Sequence, residues 1–168
     1  MRTQIQLKTP DNHIIYGTLD SDNNQTLLIF VHGITGNQNE HHYFNAVPFF
    51  TRNGFDTFRF DFYSDEDGAR SLGEGTITGH AKDLELIINN FIDKYKQVIL
   101  IGHSLRAPVI LKTSLSSISK IVLWDPTTGF KTIEDKDGEY YPEIDKYILH
   151  WGYGHYYWKT NGRRVEIT

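Results

Sequence analysis

Apolar residues along this chain follow two rhythms, one of strands and one of helices, and the alternation between them predicts its elements. Gln4–Lys8 and Ile14–Leu19 read as short strands joined by the turn signal Thr9-Pro10-Asp11-Asn12, a hairpin. After the polar cluster Asp20–Asn24, the run Thr26–Val31 is too apolar to leave a wet face and reads as a central strand. Glu40–Arg52 has the helical period, with Phe44, Val47 and Phe50 expected inward and Asn53-Gly54 as the stop. Phe55–Phe62 is a further strand and Tyr63–Gly75 a polar loop. A helix capped by Thr76 or Thr78 then carries Leu84, Ile87, Ile88, Phe91 and Ile92 on one face. Gln97–Ile101 reads as a strand buried on both faces; it stops at Gly102-His103-Ser104, and a helical pattern resumes at Pro108. Lys120–Trp124 is one more buried strand. This order predicts an α/β fold, a mostly parallel twisted sheet with helices on both faces. Residues 1–130 form its core, while 131–168 read as an irregular tail or the start of a cap, since the pattern dissolves there.

Composition narrows the class without naming a chemistry. With 168 residues, one domain burying roughly two-thirds of its surface is expected. A formal charge of −4 offers no electrostatic case for nucleic acid or an anionic membrane. The absence of cysteine excludes disulfides, thiolate zinc sites and a cysteine nucleophile. No apolar run approaches the ~18 residues of a membrane span, and Met1–Gln6 has no apolar leader core, so a soluble cytoplasmic protein is expected.

The chemistry concentrates at the end of the strand over 97–101. A strand, an abrupt turn with serine at its apex and then a helix is the nucleophile-elbow arrangement, whose pattern is Gly-x-Ser-x-Gly. The chain reads Gly102-His103-Ser104-Leu105-Arg106, with arginine in place of the last glycine. Two further features stand in the matching order. The strand over 26–31 ends in His32-Gly33-Ile34, and Phe60-Asp61-Phe62-Tyr63 precedes a glycine-containing loop and a helix. On these motifs residues 1–130 resemble the α/β-hydrolase family. The resemblance implies acyl transfer on an ester, thioester or related bond of a small-molecule substrate, with no cofactor and no metal. Ser104 would be the nucleophile, and the backbone N–H groups of Ile34 and Leu105 would receive the oxyanion, each contributing roughly 10²–10³ in rate. His32 is expected to hold the oxyanion loop by hydrogen bonds, His103 to pack beside the strand, and Asp61 to be structural. His41-His42 invite a metal reading, but no third ligand stands at helical spacing, so a surface pair is expected.

A serine hydroxyl also needs an imidazole and a carboxylate behind it. In the family they follow the seventh and eighth strands, and only six strands are legible here. Asp125, at the end of the strand over 120–124, is a candidate acid, and His150 and His155 lie downstream in the right order without a strand to deliver them. Arg106 is expected either to distort the turn or to swing out over its mouth, perturbing the oxyanion hole. The interleaved aromatic and basic residues of Trp151–Glu166 fit neither helix nor strand. Shifted forward one base from the Gly152–Tyr153 codons, a permitted back-translation reads Met-Asp-Ile-Ile-Ile-Gly, so a frameshift that removed the last strands of a longer hydrolase is expected. The strand Ile121–Trp124 would then be an apolar sheet edge, suited to self-association. The rival reading is a non-catalytic interaction module that pairs through that edge. A third is a partner chain that supplies the missing imidazole.

Overall fold

A computed structural model of the chain describes residues 1–104, 106–124 and 126, together with the backbone strands of 148–151, 154–158 and 164–167. The core elements are β1 (Arg2–Lys8), β2 (Ile14–Asp20), β3 (Thr26–Val31), α1 (His41–Arg52), β4 (Asp56–Asp61), α2 (Ile77–Phe91), β5 (Gln97–His103), α3 (Arg106–Lys112) and β6 (Lys120–Trp124). Their sheet has the order β1-β2-β4-β3-β5-β6. β1 and β2 form the antiparallel hairpin, β2 runs antiparallel to β4, and β4, β3, β5 and β6 are parallel.

The alternation of the strands decides which helix covers which face. On β3, Leu27, Ile29 and Val31 point to one side and Leu28 and Phe30 to the other. The first set joins Phe58, Phe60, Val98 and Leu100 beneath α2 and α3, which present Leu84, Ile87, Ile88, Val109 and Ile110. The second set packs with Ile101 against Tyr43 and Val47 of α1. Both faces are therefore covered, as an apolar parallel sheet requires.

α1 is rotated from the orientation its sequence suggested. Phe44 is 56% exposed and Phe49 is exposed as well, while Tyr43 takes the inward place. The stripe runs Tyr43, Val47, Phe50, at i, i+4 and i+7. Tyr43 wins because its hydroxyl donates to the Val31 carbonyl at 3.1 Å and its ring meets Phe30 at 5.2 Å. α2 begins with Thr76 as N-cap, its side chain accepting from the Gly79 N–H at 2.9 Å.

The Asp20–Asn24 turn is ordered by a single carboxylate. Asp56, fully buried at the start of β4, accepts from the Asp22 N–H (2.9 Å), the Asn24 side-chain amide (2.9 Å) and the Tyr95 hydroxyl (2.9 Å). Burial raises its carboxyl pKa, but the hydrogen bond from the Ser21 hydroxyl and then these others outweigh it and lower the value.

Within 131–168, expected to be irregular, the described residues form a separate three-stranded antiparallel sheet of β7 (Ile148–Trp151), β8 (Gly154–Trp158) and β9 (Arg164–Ile167). Aromatic and β-branched residues supply the strand preference there without a long alternating run. Among the described residues no helix is long and apolar enough to cross a membrane.

The hairpin's fit onto β4 turns on one missing side chain. A Cβ at Gly17 would collide with the Phe58 ring and lie 2.9 Å from the Arg59 carbonyl oxygen. Phe58 is fully buried and cannot retreat. Gly17→Ala is expected to cost about 1–3 kcal/mol of stability, read as a lower urea midpoint with an unchanged m-value.

Candidate active site

β3 and β5 are neighbours, so their carboxyl ends open side by side. α1 leaves from β3 toward β4, and α3 leaves from β5 toward β6. That divergence is the switch point at which parallel α/β sheets form their crevices.

At the end of β5 the backbone bends sharply. Ser104 has φ +55°, in the left-handed region that a non-glycine residue adopts only where its surroundings hold it there. Its N–H donates to the Trp124 carbonyl at 3.1 Å, tying the bend to the end of β6, and its carbonyl accepts from the Ala107 N–H at 3.3 Å. Gly102 makes room for the helix that follows, since a Cβ there would collide with Ile110 of α3. Leu105 and Asp125 lie outside the described residues. His155 sits on β8 opposite His150 of β7, with its side chain outside the described part. Among the described residues, the Ser104 hydroxyl has no hydrogen-bond partner, imidazole or otherwise.

The loop after β3 lies against this bend. A Cβ on Gly33 would be 3.2 Å from His103 Nδ1 and 3.5 Å from Ser104 Cβ, so a side chain would press the two turns apart. Ile34 is buried, and Thr35 takes a left-handed φ of +58°. His32 secures the loop from below. Its Nε2 accepts from the Phe62 N–H at 3.1 Å, which leaves the proton on Nδ1 to donate to the Gly33 carbonyl at 2.7 Å. Burial, helped by the charge of Arg106, drives the His32 pKa down to about 3, so the ring is neutral. Asp61 holds the far side of the loop by accepting from the backbone and side-chain N–H groups of Gln38, both at 2.6 Å.

Arg106 takes neither expected course. It is fully buried and turns inward beneath the bend. Nε donates to the His32 carbonyl at 2.6 Å, Nη1 to His80 Nδ1 at 2.8 Å and Nη2 to the Tyr63 hydroxyl at 3.4 Å. The guanidinium carbon lies 4.5 Å from the centre of the Phe62 ring. Burial pulls its pKa down to about 10, which leaves the group charged at neutral pH. Because a guanidinium can only donate, His80 accepts on Nδ1, and burial with the adjacent charge holds that ring well below its ordinary pKa. The arginine thus replaces glycine's empty space with a clamp between the bend and the β3 loop.

Three further side chains meet at the bend. Glu40 is the N-cap of α1, His42 lies in its first turn, and His103 is the last residue of β5. Glu40 Oε2, His42 Nε2 and His103 Nδ1 all lie within 4.8 Å of one another. The His42 ring is 5.0 Å from that of His103 and 5.2 Å from Trp124. Burial raises the Glu40 pKa and, with the neighbouring histidines, lowers that of His42. The surface-pair reading fails for His42 but suits His41, which is exposed and lies beside Asn45. The neighbour of His42 does not stand at helical spacing. The topology instead brings His103 beside His42, since a helix that begins after β3 starts next to the end of β5.

No protein-family model matches the chain, and no curated protein does. Solved structures do. The complex of DcsB with its substrate analogue matches with TM-score 0.69 at 20% identity, covering 82% of this chain and 49% of that one. The α/β-hydrolase GrgF from Penicillium sp. sh18 matches with TM-score 0.65 at 17% identity, over 75% and 46%. The esterase EaEST from Exiguobacterium antarcticum matches with TM-score 0.62 at 22% identity, over 83% and 50%. This chain has the α/β-hydrolase fold. It spans about half the length of these solved structures. Within that fold the bend at Ser104 stands where strand, turn and helix meet, and Arg106 fills a place the elbow pattern gives to glycine.

The clamp makes glycine harmful at this position. Arg106→Gly removes the donor to the His32 carbonyl and opens a cavity beneath the bend. A loss of about 3 kcal/mol or more is expected, measured as the shift in urea-unfolding free energy.

Proposed function

We propose that this chain is a serine acyl hydrolase with Ser104 as nucleophile, acting on an ester, thioester or related acyl bond of a small molecule, and that it turns over slowly. The carrying observation is the left-handed φ of +55° at Ser104, on the bend between a buried strand and a helix. In this reading Ser104 Oγ attacks the acyl carbonyl. The tetrahedral oxyanion is received by the N–H groups of Ile34 and Leu105, the alcohol or thiol leaves, and water releases the acid. The neutral His32, with both nitrogens engaged, positions the loop and takes no proton. Asp125 and His155, in that chain order, are the acid and base the reading assigns. Among the described residues no imidazole reaches the hydroxyl, so the base is assigned from chain order. The esterase and hydrolase neighbours support the reaction class at the level of fold.

A fluorophosphonate probe tests the reading on the intact chain. Wild-type protein is expected to label, Ser104→Ala to lose labelling completely, and His155→Ala to label at least about 10²-fold more slowly. Absence of labelling in folded wild-type protein overturns the proposal. A labelling rate per molecule that rises with protein concentration assigns the base to a second chain.

The sheet edge favours a second reading, an interaction module. β6 ends the sheet, with Val122 and Trp124 each 49% exposed and Lys120 its one charged residue. The opposite edge, β1, is guarded by Arg2 and Lys8. On this reading the chain self-associates through β6, and Val122→Lys shifts sedimentation toward monomer. Equal sedimentation of both proteins across concentrations excludes it.

A further inference from the structure

We propose that Glu40, His42 and His103 form a binding site for a divalent transition-metal ion, Zn²⁺ foremost, against the bend that carries Ser104. The site does not depend on the hydrolase reading and is tested without any substrate.

The first argument is convergence. Two residues come from the start of α1 and one from the end of β5, sixty positions later, yet their three donor atoms lie within 4.8 Å of one another. Glu40 Oε2 and His42 Nε2 are 3.7 Å apart. A tetrahedral zinc with bonds of roughly 2.0–2.2 Å holds its ligand atoms roughly 3.3–3.5 Å apart. The first pair is already near that spacing, and side-chain rotation within the 4.8 Å cluster brings His103 Nδ1 to it.

The second argument is that all three donor atoms are hidden from solvent and lack a hydrogen-bond partner. A buried orphan donor or acceptor is costly, and three orphans facing one point call for a common occupant. An ion pair between Glu40 and a protonated His42 engages two of the atoms, at a separation too long for a hydrogen bond, and leaves His103 Nδ1 unmatched. A metal ion engages all three.

The donor set selects the ion. Two imidazoles and one carboxylate suit zinc and its neighbours in the transition series, whereas magnesium and calcium favour all-oxygen shells. The surroundings fix the ligands. The His42 ring sits edge-on between His103 and Trp124, and the glycine at position 33 lets His103 Nδ1 approach the β3 loop.

The test uses the full chain, stripped with a chelator and dialysed against ZnCl₂. One equivalent of zinc is expected, with a rise in thermal midpoint as zinc is added. Cobalt is expected to give the visible bands of a tetrahedral nitrogen and oxygen site. His42→Ala and His103→Ala each lose at least about tenfold in affinity, while His41→Ala, outside the cluster, keeps it. Glu40→Gln preserves side-chain shape and also weakens binding, so the assignment is readable even where a histidine variant misfolds. No saturable zinc binding by the wild-type chain overturns the proposal. So does full affinity retained in folded His42→Ala, His103→Ala and Glu40→Gln.

Discussion

The parallel ladder between β3 and β5, from Thr26 opposite Gln97 to Val31 opposite Gly102, is the constraint on which the site depends. It sets side by side two turns that lie about seventy residues apart in sequence. Because both strands are apolar on both faces, the ladder needs helices above and below, and those helices must leave in opposite directions. The same arrangement brings Gly33 under His103 and lays the start of α1 against the end of β5. Ser104, the β3 loop and the Glu40–His42–His103 cluster are thus one consequence of strand order.

Arg106 shows how a substitution at a tight position becomes structural. The bend itself persists, with Ser104 left-handed and Gly102 still admitting Ile110. The guanidinium reaches a backbone carbonyl, an imidazole and a phenol, with an aromatic face beneath it, so its buried charge is solvated by the protein. His80 and Tyr63 come from α2 and from the segment after β4. One side chain therefore joins the bend to two other parts of the sheet's upper end. It also fixes a tautomer, because His80 must accept on the nitrogen the arginine reaches.

Much of the fold was legible because its signals are local. The unbroken apolar runs at 27–31 and 98–101, a threonine cap at 76 or 78 (Thr76 in the fold) and the glycine-serine bend each depend on a few adjacent residues. Where the reading failed, the deciding partner was distant. Phe44 and Tyr43 both carry aromatic rings, and the distant Val31 carbonyl and Phe30 ring select the tyrosine. Arg106 looked like a lesion because its partners are 26 to 74 positions away. His42 looked like a surface residue because its neighbour His103 belongs to a strand some sixty positions away. The strands of 148–167 were missed for another reason: segments of four or five residues are too short to display a period.

The two borders of the main sheet differ in kind. One ends in β1, with a cation at each end and glutamines along its length, while the other ends in β6, whose Val122 and Trp124 are half open to water. A ribbon that can grow from one side alone is self-limiting. On the proposed interaction reading, two copies joined border to border have each spent the face that could recruit a third, which closes the pair.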